Sequence, residues 1–273
     1  MTIKKPVLLI GMALVLVSLI GNYSVFAINQ LKSPIMLKHY YNFSVPSGLT
    51  LELHYLVNRS EEMDIQYATI GDSEIPLYSK ESWTYQTLRH HKVKTLYFQL
   101  DNHFFEDMKY DEMTINQIRV FLTNGESMVM DVGEINFYKR EDSPLDFKSS
   151  GSSNDNSGFG TLSVEENMNI ESYEVSFINS LKNNIIYDLN LGEKKVDDQY
   201  SFPISKEKGD IISYQYHWKF KEDDPMRNHY YYTTLTLKGK DESNTPYKHP
   251  ITMDYRPYFT EKDVKEIIKE AKK

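Results

Sequence analysis

The sequence contains no cysteine among its 273 residues. It therefore forms no disulfide bond, no thiolate metal site and no thiol nucleophile, and it offers no cysteine for lipid attachment. An exported protein without cysteine is more typical of bacteria with a single membrane than of eukaryotic secretion. The absence matters because the N-terminal segment, described below, predicts export.

Positive charge is also scarce, with 31 Lys and Arg residues against 39 Asp and Glu, a formal net charge of −8. Lys4 and Lys5 are the only charged residues among the first 27, so residues 28–273 carry a net charge of −10. A phosphate backbone repels an acidic domain, so we expect no binding to nucleic acid.

Recognisable catalytic motifs are lacking as well. The chain has no Gly-x-Ser-x-Gly elbow, no His-Glu-x-x-His zinc motif and no glycine-rich phosphate loop. The eight histidines are scattered, and adjacent His90 and His91 would point to opposite faces of a strand. We therefore expect no enzyme, no cofactor and no metal. Paired carboxylates for glycan hydrolysis can come from distant positions, so a hydrolase stays an alternative.

One acidic stretch has the oxygen ligands that a calcium loop uses. It contains Asp101, His103, Glu106, Asp107, Asp111 and Glu112. Its spacing matches no EF-hand loop, and it contains no glycine for the sharp turn. We interpret it as a solvated connection between strands.

The longest apolar run lies at the N-terminus, where no charge occurs between Pro6 and Leu31. As a helix, residues 6–28 would be about 34 Å long, enough to cross a hydrocarbon core of roughly 30 Å. Val25 and Ala27 also fit the −3 and −1 positions of a signal-peptide cleavage site. We predict either a retained membrane anchor or, after cleavage behind Ala27, a secreted protein. Lys4 and Lys5 place the body outside the cytoplasm in both cases.

The pattern of the chain after the N-terminal segment predicts mainly strands. Leu49–Val57 and Ile212–Phe220 alternate apolar and polar residues with period two, which favours half-buried strands. Residues 118–122 and 128–132 flank Asn124-Gly125, which predicts a hairpin with a type I′ turn, and Gly133 predicts a bulge. We expect a mostly β protein with two antiparallel β-sandwich-like domains.

Domain boundaries follow from a polar segment rich in Ser, Gly and Asn, which we interpret as a flexible linker. The predicted units are the N-terminal segment (1–28), a first domain (29–146), the linker (147–159) and a second domain (160–273). Residues 28–45 are expected to form a short tether.

A C-terminal amphipathic helix is predicted after Thr260, a suitable N-cap. Its apolar residues have helical spacing: Val264, Ile267, Ile268 and Ala271. The polar face mixes lysines with glutamates, so we expect docking on the second domain, with contact to a partner protein as the alternative.

Aromatic side chains suggest a ligand platform, because tyrosine and tryptophan faces can stack on sugar rings. The candidates are Trp83, Tyr85, Tyr230 and Tyr232. Cross-strand packing of aromatic pairs is the competing interpretation.

The leading functional hypothesis is a non-catalytic cell-envelope protein that binds a partner protein or a surface polymer such as a polysaccharide. An extracytoplasmic hydrolase acting on a glycan and a passive structural spacer are the alternatives.

Overall fold

A computed structural model describes residues 5–45, 49–60, 63–70, 79–100, 112–139, 141–181, 184–191 and 202–272. The helices are α1 (Lys5–Ile28), α2 (Ile178–Leu181) and α3 (Glu261–Ala271), with a 3-10 turn at Pro225–Asn228. The strands before residue 140 are β1 (Ile35–Met36), β2 (His39–Val45), β3 (Leu49–Asn58), β4 (Ile65–Ile70), β5 (Ser79–Thr87), β6 (His91–Leu100), β7 (Glu112–Leu122) and β8 (Ser127–Lys139). Those after it are β9 (Leu145–Ser153), β10 (Ser157–Val164), β11 (Met168–Val175), β12 (Ile185–Asn190), β13 (Ile204–Lys206), β14 (Ile211–Trp218), β15 (Tyr230–Asp241) and β16 (Pro246–Tyr255).

Helix α1 matches the predicted apolar segment. Its span Leu9–Ile28 has a mean hydropathy of 2.0, and none of it is buried against the rest of the chain. The helix is long and apolar enough to cross a membrane or to act as a signal sequence.

The strands form three open sheets, as expected of a mostly β, sandwich-like protein. The N-terminal small sheet has the order β1-β3-β6-β5, and the C-terminal small sheet has the order β12-β14-β10-β9. The long sheet has the order β13-β11-β15-β2-β8-β7-β4, with β16 paired to β15.

Two hydrophobic cores lie against the long sheet. The N-terminal core contains Leu53 and Phe98 from the N-terminal small sheet and Phe137 from the long sheet. The C-terminal core contains Trp218 from the C-terminal small sheet and Leu235 from the long sheet. The two cores resemble the two domains of the prediction, but the long sheet runs through both.

Strand β2 departs from the expected antiparallel pairing. It pairs in parallel with β8 on one side and with Tyr230–Tyr232 of β15 on the other. Strand β2 is thus the link between the strands of the two cores. Alternation of apolar residues predicts a strand but carries no information on its direction, which is why the sequence did not reveal this arrangement.

The hairpin of β7 and β8 is confirmed, and so is the bulge at Gly133, where φ is 98°. A Cβ on Gly133 would lie 2.3 Å from the His39 carbonyl oxygen, so glycine permits the close approach of β2. The turn is different from the prediction. A type I′ turn requires positive φ at both Asn124 and Gly125, but of these two residues only Gly125 has it. The Gly125 N–H donates to the Leu122 carbonyl at 3.0 Å, as in a turn with a G1 bulge.

The Ser/Gly/Asn segment expected at 147–159 as a linker instead forms most of the β9–β10 hairpin. Glycine alternates here to make room for aromatic rings on β14. A Cβ on Gly158 would lie 2.4 Å from the Tyr216 ring, and one on Gly160 would lie 2.4 Å from the Tyr214 hydroxyl. Large rings on one strand thus compensate for glycines on its neighbour. The division into domains 29–146 and 160–273 stays a prediction.

The segment expected as a tether is also structured. Leu31 is buried, and Asn58 holds its backbone through two hydrogen bonds of 2.8 Å, one to the N–H and one to the carbonyl. The His91 ring lies 2.8 Å from the Asn29 carbonyl. Folded structure therefore begins within three residues of the end of α1.

Helix α3 confirms the predicted element and its cap. Thr260 and Asp263 form a capping box. The docking prediction is wrong: Val264, Ile267 and Ile268 pack against the N-terminal core rather than the second domain. The Gln86 side chain fixes this arrangement by donating to the Phe259 carbonyl at 2.6 Å and accepting from its N–H at 3.0 Å.

Candidate functional site

A cleft of about 770 Å³ lies where the two cores meet, and we call it the junction cleft. Strand β5, the β9–β10 turn, the end of β14 and the chain after β16 all contribute to it. Its lining residues are Tyr85, Ser152–Ser157, Tyr216–Phe220, Arg227, Asp254–Arg256 and Tyr258.

The β9–β10 turn forms a polar wall of the cleft. Asp155 shapes the turn by accepting hydrogen bonds from the Ser157 N–H at 3.1 Å and from the Ser157 hydroxyl at 2.5 Å. These hydrogen bonds hold the pKa of Asp155 below its usual value. Asn156 occupies the left-handed region with φ at 64°, which asparagine tolerates well. The wall therefore presents hydroxyl, amide and carboxylate groups.

Aromatic rings form the base of the cleft. Trp218 stacks on Phe220 with 5.8 Å between ring centroids and 7° between planes. Phe220 also contacts Tyr255 at 4.7 Å. Tyr258 extends from the chain after β16 and is 78% exposed. The cleft thus combines a packed aromatic base with one projecting tyrosine.

Arg256 connects the two halves of the protein beside this base. Its guanidinium lies 3.4 Å from Glu52 on β3 and 3.9 Å from Asp254 on β16. Asp254 also accepts a hydrogen bond of 3.0 Å from the Tyr216 hydroxyl. Burial raises the pKa of Tyr216, so its hydroxyl stays a hydrogen-bond donor.

A second arginine connects the cleft to α3. Arg227 lies 3.2 Å from the buried carboxylate of Asp263, at the first turn of the helix. The Tyr255 hydroxyl donates to the Arg227 carbonyl at 2.9 Å. The cleft wall and the docked helix therefore share one network.

One donor in the lining lacks a partner in the described part of the chain. Trp218 is only 2% exposed, and its indole Nε1 makes no hydrogen bond with any residue that the structure describes. A buried donor without a partner costs about 1–3 kcal/mol, so native proteins retain few of them. An acceptor on a bound ligand or an ordered water would satisfy this group.

Behind Tyr85 lies a buried group of three rings. His54 stacks on Tyr230 at 3.8 Å, and His39 stacks on Tyr230 at 5.4 Å. His39 Nε2 accepts the His54 N–H at 2.8 Å, so Nδ1 carries the proton and lies 3.3 Å from the Val132 carbonyl. Burial lowers the pKa of His39 to about 3. These histidines are neutral packing elements at physiological pH.

The four predicted platform residues fall into different environments. Tyr85 lines the cleft and is 39% exposed, whereas Trp83 lies outside it and is 62% exposed. Tyr230 is buried, so it offers no face to a ligand. Tyr232 is half-buried and packs on Phe43 at 4.6 Å. Only Tyr85 thus belongs to the site.

Sequence reasoning missed Trp218, Phe220, Tyr258 and Arg256 as members of the site. The alternation over residues 212–220 predicted a half-buried strand that carries Trp218, but it gave no sign of a site there. The stretch Tyr255-Arg256-Pro257-Tyr258 was a possible signal, because an aromatic pair and an arginine follow the last strand.

Residues 101–111 of the acidic stretch lie outside the described residues, and only Glu112, at the start of β7, is within them. Among the residues that the structure does describe, no group of three or more His, Asp or Glu could hold a metal ion.

No protein-family model matches the chain, and no curated protein is similar to it in sequence. Any functional assignment therefore depends on the geometry of the junction cleft.

Proposed function

We propose that this protein is a membrane-anchored, non-catalytic binding protein of the cell envelope, with its body outside the cytoplasm as two sandwich-like domains. Its ligand is a surface polysaccharide that lies in the junction cleft. The buried Trp218 indole, which has no hydrogen-bond partner in the described chain, is the observation that carries this proposal.

The composition of the cleft supports a sugar ligand. Tyr85 and Tyr258 offer exposed aromatic faces at its mouth, and the Ser152–Ser157 wall offers hydroxyl and amide groups. Ligand sites commonly combine such an apolar base with a few polar groups that fix orientation. Sugars need both, since their rings have apolar faces and hydroxyl edges.

The shape of the site supports an extended ligand. A second groove of about 450 Å³ shares Ser152, Tyr216 and Asp254 with the cleft and leads toward the exposed rings of Phe147 and Phe159. A polymer could occupy both grooves at once, which would increase its affinity without any further change in the protein.

The carboxylates of the cleft support binding rather than hydrolysis. A glycosidase needs a protonated acid, usually one whose pKa is raised by burial or a neighbouring charge. Asp155 in the cleft is fully exposed and its pKa is lowered. Asp254 is occupied by the Tyr216 hydroxyl and Arg256.

Trp218 can report on binding. The chain has two tryptophans, Trp83 and Trp218, so the Trp83→Phe variant leaves Trp218 as the sole indole. Titration of this variant with soluble cell-wall polysaccharide fragments should change its fluorescence and saturate. A flat titration across all fragments would count against the proposal.

A further inference from the structure

The charges on α3 are segregated around its axis. At 100° per residue, Lys262, Lys265, Lys269 and Lys272 fall within an arc of about 80°. Glu266 and Glu270 lie on the opposite flank of the exposed half, and all six side chains are exposed. Lys262 has a carboxylate nearby, Glu222 at 3.9 Å, but both groups are exposed and such pairs contribute little. We call these four lysines the lysine stripe.

The first turn of α3 lies beside the end of α1. The Arg89 N–H donates to Glu261 in the first turn of α3 at 2.7 Å. Two residues further, His91 contacts the Asn29 carbonyl just after α1. At its other end, α3 lines a cavity with Ser33–Lys38, the segment that follows the anchor, through its apolar and glutamate side rather than through the stripe.

Two exposed arginines extend the basic surface toward α1. The Arg59 N–H donates to the His90 carbonyl at 2.9 Å, and the Arg59 guanidinium lies 3.5 Å from the Arg89 carbonyl. Arg59 directly follows Asn58, which holds Leu31. Leu31 comes three residues after the end of α1, and three residues span at most about 10 Å. These arginines therefore lie close to the point where α1 ends.

We propose that the lysine stripe, with Arg59 and Arg89, rests on the anionic phospholipid headgroups of the leaflet from which α1 emerges. This inference rests on the proposed membrane anchor but not on the polysaccharide ligand. The body carries a net charge of −10, so a negative membrane surface repels it except where basic side chains are concentrated. Each lysine or arginine near such a surface is attracted to the anionic headgroups. The contact fixes the orientation of the body on the membrane.

The absence of cysteine provides a direct test in the full-length chain. Glu266→Cys, next to the stripe, and Glu242→Cys, in the β15–β16 turn, each create a unique site for a fluorophore. The β15–β16 turn lies at the far end of β15 from Tyr230, about 36 Å away at 3.3 Å per residue. Both proteins are reconstituted into vesicles that carry a quencher on the lipid headgroup.

The Glu266→Cys probe should be quenched about threefold more strongly in vesicles with anionic lipid than in purely zwitterionic ones, and high salt should abolish the difference. The added substitutions Lys265→Glu and Lys269→Glu should abolish it too. The Glu242→Cys probe should show no difference. Equal or absent quenching at Glu266→Cys in both vesicle types would overturn the lipid contact. An acidic protein would then be the remaining candidate partner for the lysine stripe. A chain that floats with neither vesicle type would overturn the anchor together with this contact, whereas polysaccharide binding is measured separately.

Discussion

Tyr230 and Tyr231 are neighbours in β15 but are buried in different hydrophobic cores. Tyr230 stacks on His54 in the N-terminal core, and Tyr231 stacks on Trp218 at 5.2 Å in the C-terminal core. Successive side chains of a strand point to opposite faces, so one strand can connect two cores. The junction cleft lies where these two cores meet.

The two tyrosines give a matched pair of substitutions. The Tyr231 hydroxyl donates to the Met226 carbonyl at 3.0 Å, so Tyr231→Phe should lower the free energy of unfolding by about 1 kcal/mol. The Tyr230 hydroxyl is buried without a partner in the described chain, so Tyr230→Phe should be neutral or stabilising. Urea denaturation of both variants measures the difference. The reverse order of stabilities would show that the hydroxyl environments are assigned wrongly.

One buried and one half-buried histidine should make the fold sensitive to acid. Burial lowers the pKa of His39 to about 3 and that of His229 to about 4. Below the unfolded value near 6.5, the unfolded chain binds protons that the folded chain does not, so stability is lost as the pH falls. Between pH 7 and pH 5 each histidine should cost about 2 kcal/mol of unfolding free energy.

Denaturation midpoints at the two pH values test this expectation. The variant His39→Gln should reduce the pH dependence by about one histidine's share. A midpoint that does not change between pH 7 and pH 5 would show that these histidines are accessible to protons in the folded protein.

The glycines of β9 and β10 should differ in their tolerance of a methyl group. On Gly160 the added Cβ meets the Tyr214 ring and, at 2.8 Å, the Ser149 carbonyl, neither of which moves easily. On Gly151 the nearest atoms belong to the exposed and movable Phe159 ring. Gly160→Ala should therefore destabilise by about 1–3 kcal/mol and Gly151→Ala by clearly less. Equal thermal stabilities of the two variants would mean that the hairpin is not packed as described.

The sequence predicted the local elements well where a periodic pattern was strong. Alternation identified β3 and β14, Asn124-Gly125 located the hairpin, and Thr260 located α3. It misread the Ser/Gly/Asn segment, because a run of small polar residues suits a linker unless large rings cover it. Those rings, Tyr214 and Tyr216, are more than 50 residues away in the sequence.

The candidate site was mostly beyond prediction for the same reason. Tyr85 and Tyr258 both line the cleft although 173 positions separate them. The hydrogen bonds between Gln86 and Phe259, which bring β5 next to the segment after β16, span the same separation in sequence. Periodicity reports which face of a strand is buried. It does not report that β2 joins the strands of the two cores in parallel.

Calorimetric titration of two aromatic variants with cell-wall polysaccharide fragments tests the binding proposal most directly. Tyr258, 78% exposed, projects at the cleft, whereas Trp83, 62% exposed, lies outside it. We expect Tyr258→Ala to weaken binding about tenfold, the loss of a stacking contact of roughly 1–2 kcal/mol, and Trp83→Ala to bind like the parent protein. Unchanged binding by Tyr258→Ala, or a loss confined to Trp83→Ala, would contradict it.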